Sequence, residues 1–130
     1  MKTLGIGIDI INNKRIRTLI NDKSFIKRIF GKSEIRLSKK ITDKTNYFAK
    51  RFAAKESLAK SLGTGFRNNL NFKDIEILND NLGKPYFNLN NKTKKIVSKK
   101  LKVKNFDLFL SISDEKEYSI AFTIIQTKNA

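Results

Sequence analysis

The sequence predicts a single α+β domain over residues 1–130, with a mainly antiparallel sheet wrapped by one long helix and several shorter helices. Period-two alternation of apolar residues, typical of strands, occurs near both ends and in the middle of the chain. Apolar residues recur at helical spacing between these segments, most extensively over residues 45–62. A length of 130 residues suits one domain with a continuous core, and no linker, repeat or low-complexity segment divides it.

The first element is a strand with two contrasting faces. One face carries Leu4, Ile6, Ile8 and Ile10, and the other carries Gly5, Gly7 and Asp9. We expect the four apolar side chains to face the core. Because two glycines leave the opposite face bare, another backbone or a ligand can approach Asp9 closely.

Helices dominate the next part of the chain. Two short apolar stripes are expected to belong to helices between residues 12 and 40: Ile16, Leu19 and Ile20, then Phe25, Ile29 and Phe30. Ser33 is the expected cap of a further turn over residues 33–39. The long helix should run from about Thr45 to Leu62, and Gly63 is suited to end it in a left-handed conformation.

Strands and one helix make up the rest. Residues 72–78 alternate as a strand, residues 79–83 form a turn, and a return strand begins at residues 84–87. Residues 90–102 have the pattern of an amphipathic helix. Two strands follow at residues 106–113 and 118–125. In the first of these, Phe109, Ser111 and Ser113 share the more polar face, and the two serines are expected to be structural.

Composition excludes several kinds of chemistry. The chain has no Cys and no His, which removes disulfides, thiolate catalysis, Cys/His zinc sites and the commonest general base. Its net charge of +16 indicates an anionic partner, although many of the lysines are equally consistent with a solvated surface. No apolar run approaches the roughly 20 residues that span a bilayer, and the N-terminus lacks the features of a signal peptide. We expect a soluble, cytoplasmic protein.

Asp9 and Glu56 are the candidate metal ligands. With oxygen ligands only, a hard ion such as Mg²⁺ is favoured, and it takes its other ligands from water and phosphate. The alternative is that Asp9 caps the following helix and Glu56 pairs with Lys60 on the surface.

Cations on the long helix are the candidate phosphate ligands. They are Arg51, Lys55 and Lys60, and the Gly83-Lys84-Pro85 turn can add a backbone approach and one more cation. The spacing of Gly63-Thr64-Gly65 fits neither a Walker loop nor a dinucleotide fingerprint. A second dense basic region, residues 14–40, is a candidate docking face for an acidic macromolecule or a solvated helical surface.

Several segments together resemble the holo-acyl-carrier-protein synthase family, the small 4′-phosphopantetheinyl transferases. The matching segments are GIGIDI at 5–10, RFAAKESLAKSLGTG at 51–65, FKDIEILND at 72–80, GKPY at 83–86 and SISDEKEYSIAFTII at 111–125. They follow the family's order and cover almost the whole chain.

The resemblance implies the phosphopantetheinyl transferase fold and a Mg²⁺-dependent enzyme. Its reaction transfers the 4′-phosphopantetheine arm of coenzyme A to a serine of apo acyl carrier protein, in fatty acid biosynthesis. It also implies a homotrimer with coenzyme A bound between subunits, and neither a nucleic-acid nor a membrane partner.

The resemblance also assigns roles to residues. Asp9 and Glu56 become the metal ligands, and Lys60 reaches the diphosphate; these three form the catalytic set, with Glu56 as the candidate base. The coenzyme A site comprises Lys44, Arg51, Lys60, Gly63, Lys84 and Pro85. Arg15 and Arg28 face the acidic recognition helix of the carrier protein.

One position departs from the family pattern. Phe109 stands where many relatives have a histidine, so the role of that histidine cannot be transferred to this chain. Phe109 therefore suggests one alternative to the enzyme, a catalytically silent carrier-binding relative. The basic charge, with Phe and Tyr residues available for stacking, suggests another, a basic RNA-binding module without catalysis.

Overall fold

The computed structural model describes residues 1–63, 65–66 and 69–128. Its secondary structure comprises five strands, five α-helices and one 3₁₀ turn over the described residues. In chain order these are β1 (Thr3–Asn12), α1 (Asn13–Leu19), α2 (Lys23–Ile29), α3 (Lys32–Ser38), α4 (Lys44–Ser61), the 3₁₀ turn (Phe72–Asp74), β2 (Ile75–Asn79), β3 (Pro85–Leu89), α5 (Asn91–Leu101), β4 (Phe106–Asp114) and β5 (Tyr118–Thr127).

The strands form two antiparallel sheets around a central helix. One sheet has the order β1-β5-β4, and the other is the β2-β3 hairpin. Helix α4 is buried on most of its surface, because it packs against β1 and β5 on one side and against α1 and β2 on others. The predicted α+β class, with a mainly antiparallel sheet accompanied by a long helix and shorter helices, is confirmed.

Two apolar clusters fill the space around α4. The first joins its N-terminal half to α1 and α2, and includes Phe25, Phe30 and Phe48. The second joins its C-terminal half to the hairpin, α5 and β5, and includes Leu58, Val97 and Ile125. Both halves of α4 are therefore held rigidly by burial of apolar surface, the main favourable term in folding.

The face of β1 that we expected to be buried is mostly open. Ile6, Ile8 and Ile10 are 58%, 57% and 60% exposed in this chain. The expectation that they face the core is wrong, because α4 packs against the opposite face, where the glycines let its backbone approach. A Cβ atom added at Gly5 or Gly7 would overlap the main-chain carbonyl of Ser61 or Ser57.

Two further local predictions differ from the structure. Helix α3 begins after Gly31 rather than at Ser33, because the Glu34 carboxylate accepts from Gly31 N (2.9 Å) and the Glu76 carboxylate of β2 accepts from Ser33 N (2.8 Å). Distant and local carboxylates thus replace the serine cap. Residues 72–74 form a 3₁₀ turn, so β2 begins only at Ile75.

Candidate active site

Asp9 lies beside α4 because of the strand that carries it. Side chains alternate along β1, so Asp9 shares its face with Gly5 and Gly7. Those glycines bring the α4 backbone against the strand, and Asp9 is the next residue on that face with a side chain. A carboxylate on a strand and the charged residues of a helix are thereby brought together.

Lys60 is the direct partner of Asp9. Its ammonium group lies 3.0 Å from Asp9 Oδ1 and donates to Ile8 O at 3.1 Å. The pair is partly open to solvent, with the lysine side chain 56% exposed and the aspartate 14%. Asp9 does not cap the following helix, because Asn12 does so by accepting from Lys14 N. The alternative in which Asp9 caps the following helix and Lys60 pairs with Glu56 is therefore wrong, because Lys60 pairs with Asp9 on β1.

Glu56 lies one helical turn before Lys60, on the same face of α4. Partial burial raises the pKa of Glu56 above its ordinary value, and the negative charge of Asp9 raises it further. The positive charges of Lys60 and Arg15 oppose these effects without cancelling them. Two carboxylates and two cations thus act on one another at this site, and Glu56 is more basic than an exposed glutamate.

Arg51 belongs to a different face of the same helix. It is only 6% exposed, and its guanidinium group donates to Asn79 Oδ1 (2.7 Å) and Tyr47 O (3.2 Å) and stacks over the Tyr47 ring. Its Nε is buried and has no hydrogen-bond partner among the described residues. An unpaired buried donor is costly, so an acceptor on a ligand would stabilise it.

A small cavity of about 140 Å³ lies beside Arg51. The Gly83 and Pro85 positions of the β2-β3 turn line it. The turn is fixed because the Asp80 carboxylate accepts from Lys84 N at 2.9 Å and Asn79 donates to Gly83 O at 3.0 Å. The structure thus brings Arg51 and this turn together, while the Lys84 side chain is exposed outside the cavity lining.

The prediction that Lys55 is a phosphate ligand is wrong. It is fully buried and pairs with Glu34 at 2.7 Å, and it also donates to the carbonyls of Phe72 and Ile75. Burial lowers the pKa of Lys55 against the opposing effect of Glu34. A side chain with all its donors engaged inside the fold has no access to a phosphate.

The other candidate residues have different surroundings. Lys44 donates to Ser38 O (2.7 Å) and Ile41 O (3.0 Å), which joins α4 to the end of α3. Gly63 adopts the expected left-handed conformation, with φ of 79°. Thr64 lies outside the described residues. Arg15 and Arg28 are exposed.

Sequence reasoning missed Asn79. It was assigned only to a turn, but its amide orients both Arg51 and the Gly83 carbonyl. No periodicity or motif marks this role, because both contacts depend on how the hairpin packs against α4.

The comparisons with known proteins agree with the family that the sequence motifs indicate. A family model described as "4'-phosphopantetheinyl transferase superfamily" matches residues 5–123. The chain belongs to this superfamily. The holo-[acyl-carrier-protein] synthase of Pelagibacter ubique (strain HTCC1062) is 58% identical over 128 residues, covering 98% of this chain and 100% of the relative.

Solved structures of superfamily members share the fold. The holo-[acyl-carrier-protein] synthase of Neisseria meningitidis is 36% identical, with a TM-score of 0.86 over 96% of this chain and 99% of that one. The holo-(acyl-carrier-protein) synthase of Bacillus anthracis str. Ames, in complex with CoA (3',5'-ADP), is 33% identical, with a TM-score of 0.81 over 98% of this chain and 100% of that one. The family and fold predictions are confirmed.

Proposed function

We propose that this chain is a holo-acyl-carrier-protein synthase. It transfers the 4′-phosphopantetheine group of coenzyme A to a serine hydroxyl of apo acyl carrier protein, giving holo carrier protein and adenosine 3′,5′-bisphosphate for fatty acid biosynthesis. One observation carries the proposal: Asp9, Glu56 and Lys60 form a charged cluster in a chain of this superfamily. The relative named above as a synthase and the coenzyme A complex of another support the substrate.

Mg²⁺ is the proposed cofactor, held by Asp9 and Glu56. The donor chemistry fits, because both side chains offer oxygen and Asp9 already stabilises a cation, the ammonium group of Lys60. Over the described ranges no group of three or more His, Cys, Asp or Glu side chains could hold a metal. Water and phosphate oxygens would complete the ligand set, and the bound ion would neutralise charge on the diphosphate.

The residues of the chain then have distinct roles in transfer. The serine oxygen forms a bond to the β-phosphorus, and the bond from that phosphorus to the bridging oxygen breaks. Adenosine 3′,5′-bisphosphate leaves with the electron pair. Lys60 exchanges Asp9 for a diphosphate oxygen and stabilises the developing charge. Glu56 is the proposed acceptor of the serine proton.

The helix geometry supports a site shared between subunits. Arg51 and Lys60 are nine residues apart on α4, which is about two and a half turns, so they point to opposite sides about 14 Å apart. One chain cannot present both to the same diphosphate-containing ligand. We therefore assign the nucleotide end of coenzyme A to Arg51, Lys44 and the Lys84-Pro85 turn of one subunit, and the diphosphate to Lys60 and Gly63 of its neighbour.

The open sheet face supports self-association as a trimer. Ile6, Ile8 and Ile10 lie beside exposed Phe109 and Phe122, as expected for a surface that another protein covers. Contacts between subunits through different surfaces close into a ring, which a homotrimer requires.

The proposed carrier surface includes Arg15 and Arg28. Arg15 belongs to α1 and acts electrostatically on Glu56, and Arg28 is exposed on α2. Both would attract an acidic carrier protein and bring its serine toward Glu56. The cytoplasmic location stays a prediction; none of the helices in the described part of the chain is long and apolar enough to cross a membrane.

A mixing experiment tests transfer and the shared site together. Wild-type protein with coenzyme A, Mg²⁺ and apo carrier protein should increase the carrier mass by one phosphopantetheine group. Arg51→Ala and Lys60→Ala should each be inactive alone. When they are unfolded together and refolded as a mixture, about a quarter of wild-type activity should return, because a quarter of the interfaces combine two intact halves.

The outcomes separate the two parts of the proposal. A wild-type protein that binds carrier without modifying it would identify the silent relative and overturn the enzymatic function. Transfer by the wild type without recovery in the mixture would overturn the shared site alone. Gel filtration of each variant provides the control for folding and assembly.

A further inference from the structure

A basic groove lies far from the Asp9 cluster. It is formed by one side of α5 from Asn91 to Lys99, residues 102–105, the start of β4 and the residue after β5, and its cavity volume is about 720 Å³. Phe106 at the groove pairs with Thr127, whereas Asp9 pairs with Ala121, six residues earlier on β5. The groove is therefore about 20 Å from Asp9 along the sheet.

Lysines line the groove without carboxylates among them. The exposed lysines of its lining are Lys94, Lys95, Lys99, Lys102, Lys104 and Lys128. The sequence has no Asp or Glu between Asp80 and Asp107. Among described residues, the only ion pair of these lysines is the 3.9 Å contact between Lys128 and Asp107. Such a concave concentration of positive charge attracts anions strongly.

The backbone of Lys102 fixes the position of one of these cations. This residue ends α5 in the left-handed conformation, with φ of 57° and ψ of 40°. Glycine adopts this conformation without steric cost and is the usual residue here, whereas a lysine is strained. The chain thus keeps a cation in the groove at a position where backbone conformation favours glycine.

The chemistry of the lining suits an anion that also offers groups for hydrogen bonding and ring contact. Every cation is a lysine, which binds phosphate as a point charge. The amides of Asn91 and Asn105 can bond to bases, and the half-buried ring of Phe106 can contact them. A concave groove of this size accepts an extended chain better than a rigid duplex or a flat bilayer.

We propose that this groove binds single-stranded RNA through its phosphates and without sequence preference. The site is separate from the transfer site, and the proposal does not depend on the proposed function. It departs from the expectation, drawn from the family resemblance, that the protein has no nucleic-acid partner.

The test compares two charge-matched variants of the full chain. The groove variant carries Lys95→Gln, Lys99→Gln and Lys102→Gly. The control variant carries Lys39→Gln, Lys40→Gln and Lys92→Gln, which are exposed lysines outside the groove lining. Fluorescence anisotropy with a labelled 12-nucleotide oligouridylate, between 50 and 200 mM salt, gives the affinity and its salt dependence.

The groove variant should bind at least about tenfold more weakly at 50 mM salt, while the control stays within about twofold of the wild type. Its slope of log K against log salt should fall by about 2, because each lost contact to single-stranded phosphate removes about 0.7. Lys102→Gly alone should weaken binding while raising the Tm, since it relieves the left-handed strain. Transfer activity should be unchanged in the groove variant.

Three results would overturn the proposal. One is an equal loss of binding in both triple variants, which would mean diffuse attraction by net charge. Another is absence of RNA binding by the folded wild type. The third is displacement of the oligonucleotide by coenzyme A, by apo carrier protein or by anionic phosphatidylglycerol vesicles, if the displacing ligand also binds the groove variant more weakly than the wild type. That result would mean that the groove is the binding site of the displacing ligand.

Discussion

Helix α4 carries two lysine–carboxylate pairs five residues apart, and their surroundings differ completely. Lys55 and Glu34 are both fully buried, and main-chain groups satisfy their remaining bonding capacity: Gly31 N and Ile77 N donate to Glu34. Lys60 and Asp9 are similarly close, at 3.0 Å, but the lysine is mostly exposed, and its one other acceptor among the described residues is Ile8 O. The same two kinds of charge meet in both pairs.

The difference shows how burial decides what an ion pair can do. A buried pair cannot exchange partners, because separation leaves a charge inside the protein without compensation. It therefore joins α3, α4 and β2 permanently. An exposed pair contributes only about 0–1 kcal/mol, so Lys60 can leave Asp9 for a ligand at little cost. One pair stabilises the fold, and the other is available for chemistry.

The largest expected effect comes from breaking the buried pair. Glu34→Ala should lower the free energy of unfolding by about 3–5 kcal/mol, because Lys55 is left buried without a counter-charge. Urea denaturation measures the loss. The double variant Glu34→Leu/Lys55→Met should recover most of it, since replacing a whole buried pair by apolar residues is often neutral. A loss below about 1 kcal/mol for Glu34→Ala would show that the two pairs do not differ in this way.

The exposed pair should show the reverse pattern. Lys60→Ala should reduce the rate of transfer by about 10²–10³-fold, because a cation that stabilises the diphosphate in the transition state is lost. Its free energy of unfolding should change by no more than about 1 kcal/mol. Mass spectrometry of the carrier gives the rate, and urea denaturation of the same sample gives the stability. A folded variant with an unchanged rate would remove Lys60 from the catalytic set.

The smallest effect concerns Glu56 and depends on pH. Because folding raises its pKa, ionisation of Glu56 costs more in the folded than in the unfolded state, and the wild type loses stability as pH rises through that pKa. Glu56→Gln should therefore have the higher Tm near pH 7, with the difference disappearing below the ordinary value of 4.5. An equal or lower Tm for Glu56→Gln at neutral pH would contradict this account.

Periodicity in the sequence predicted the elements well but not which side of a strand is covered. The alternation of Ile6 and Ile8 with Gly5 and Gly7 defines two faces, and the larger residues were assigned to the core. The helix packs against the glycines instead, because backbone contact brings it closer than isoleucine side chains would allow. The period of the pattern thus identifies the two faces without identifying the one that the helix covers.

Long-range polar contacts were the other gap. Lys55 and Lys60 belong to the same motif and look alike in sequence, yet only the fold distinguishes a buried lysine from an exposed one. Glu76 accepts from Ser33 N, and Glu34 accepts from Lys55 and from Ile77 N. These partners are distant in sequence, so no local pattern predicts the contacts. That Asp9 and Lys60 belong to one site could be predicted, because the family resemblance includes both of the segments that carry them.

The glycine face of β1 limits how far the distance between β1 and α4 can change through substitution. Any larger residue at Gly5 or Gly7 would push β1 and α4 apart, because the two main chains are in contact there. These glycines therefore set the distance between the strand that carries Asp9 and the helix that carries Glu56. We therefore expect substitutions at Gly5 or Gly7 to disturb the spacing of the two acids more than substitutions in the surrounding loops do.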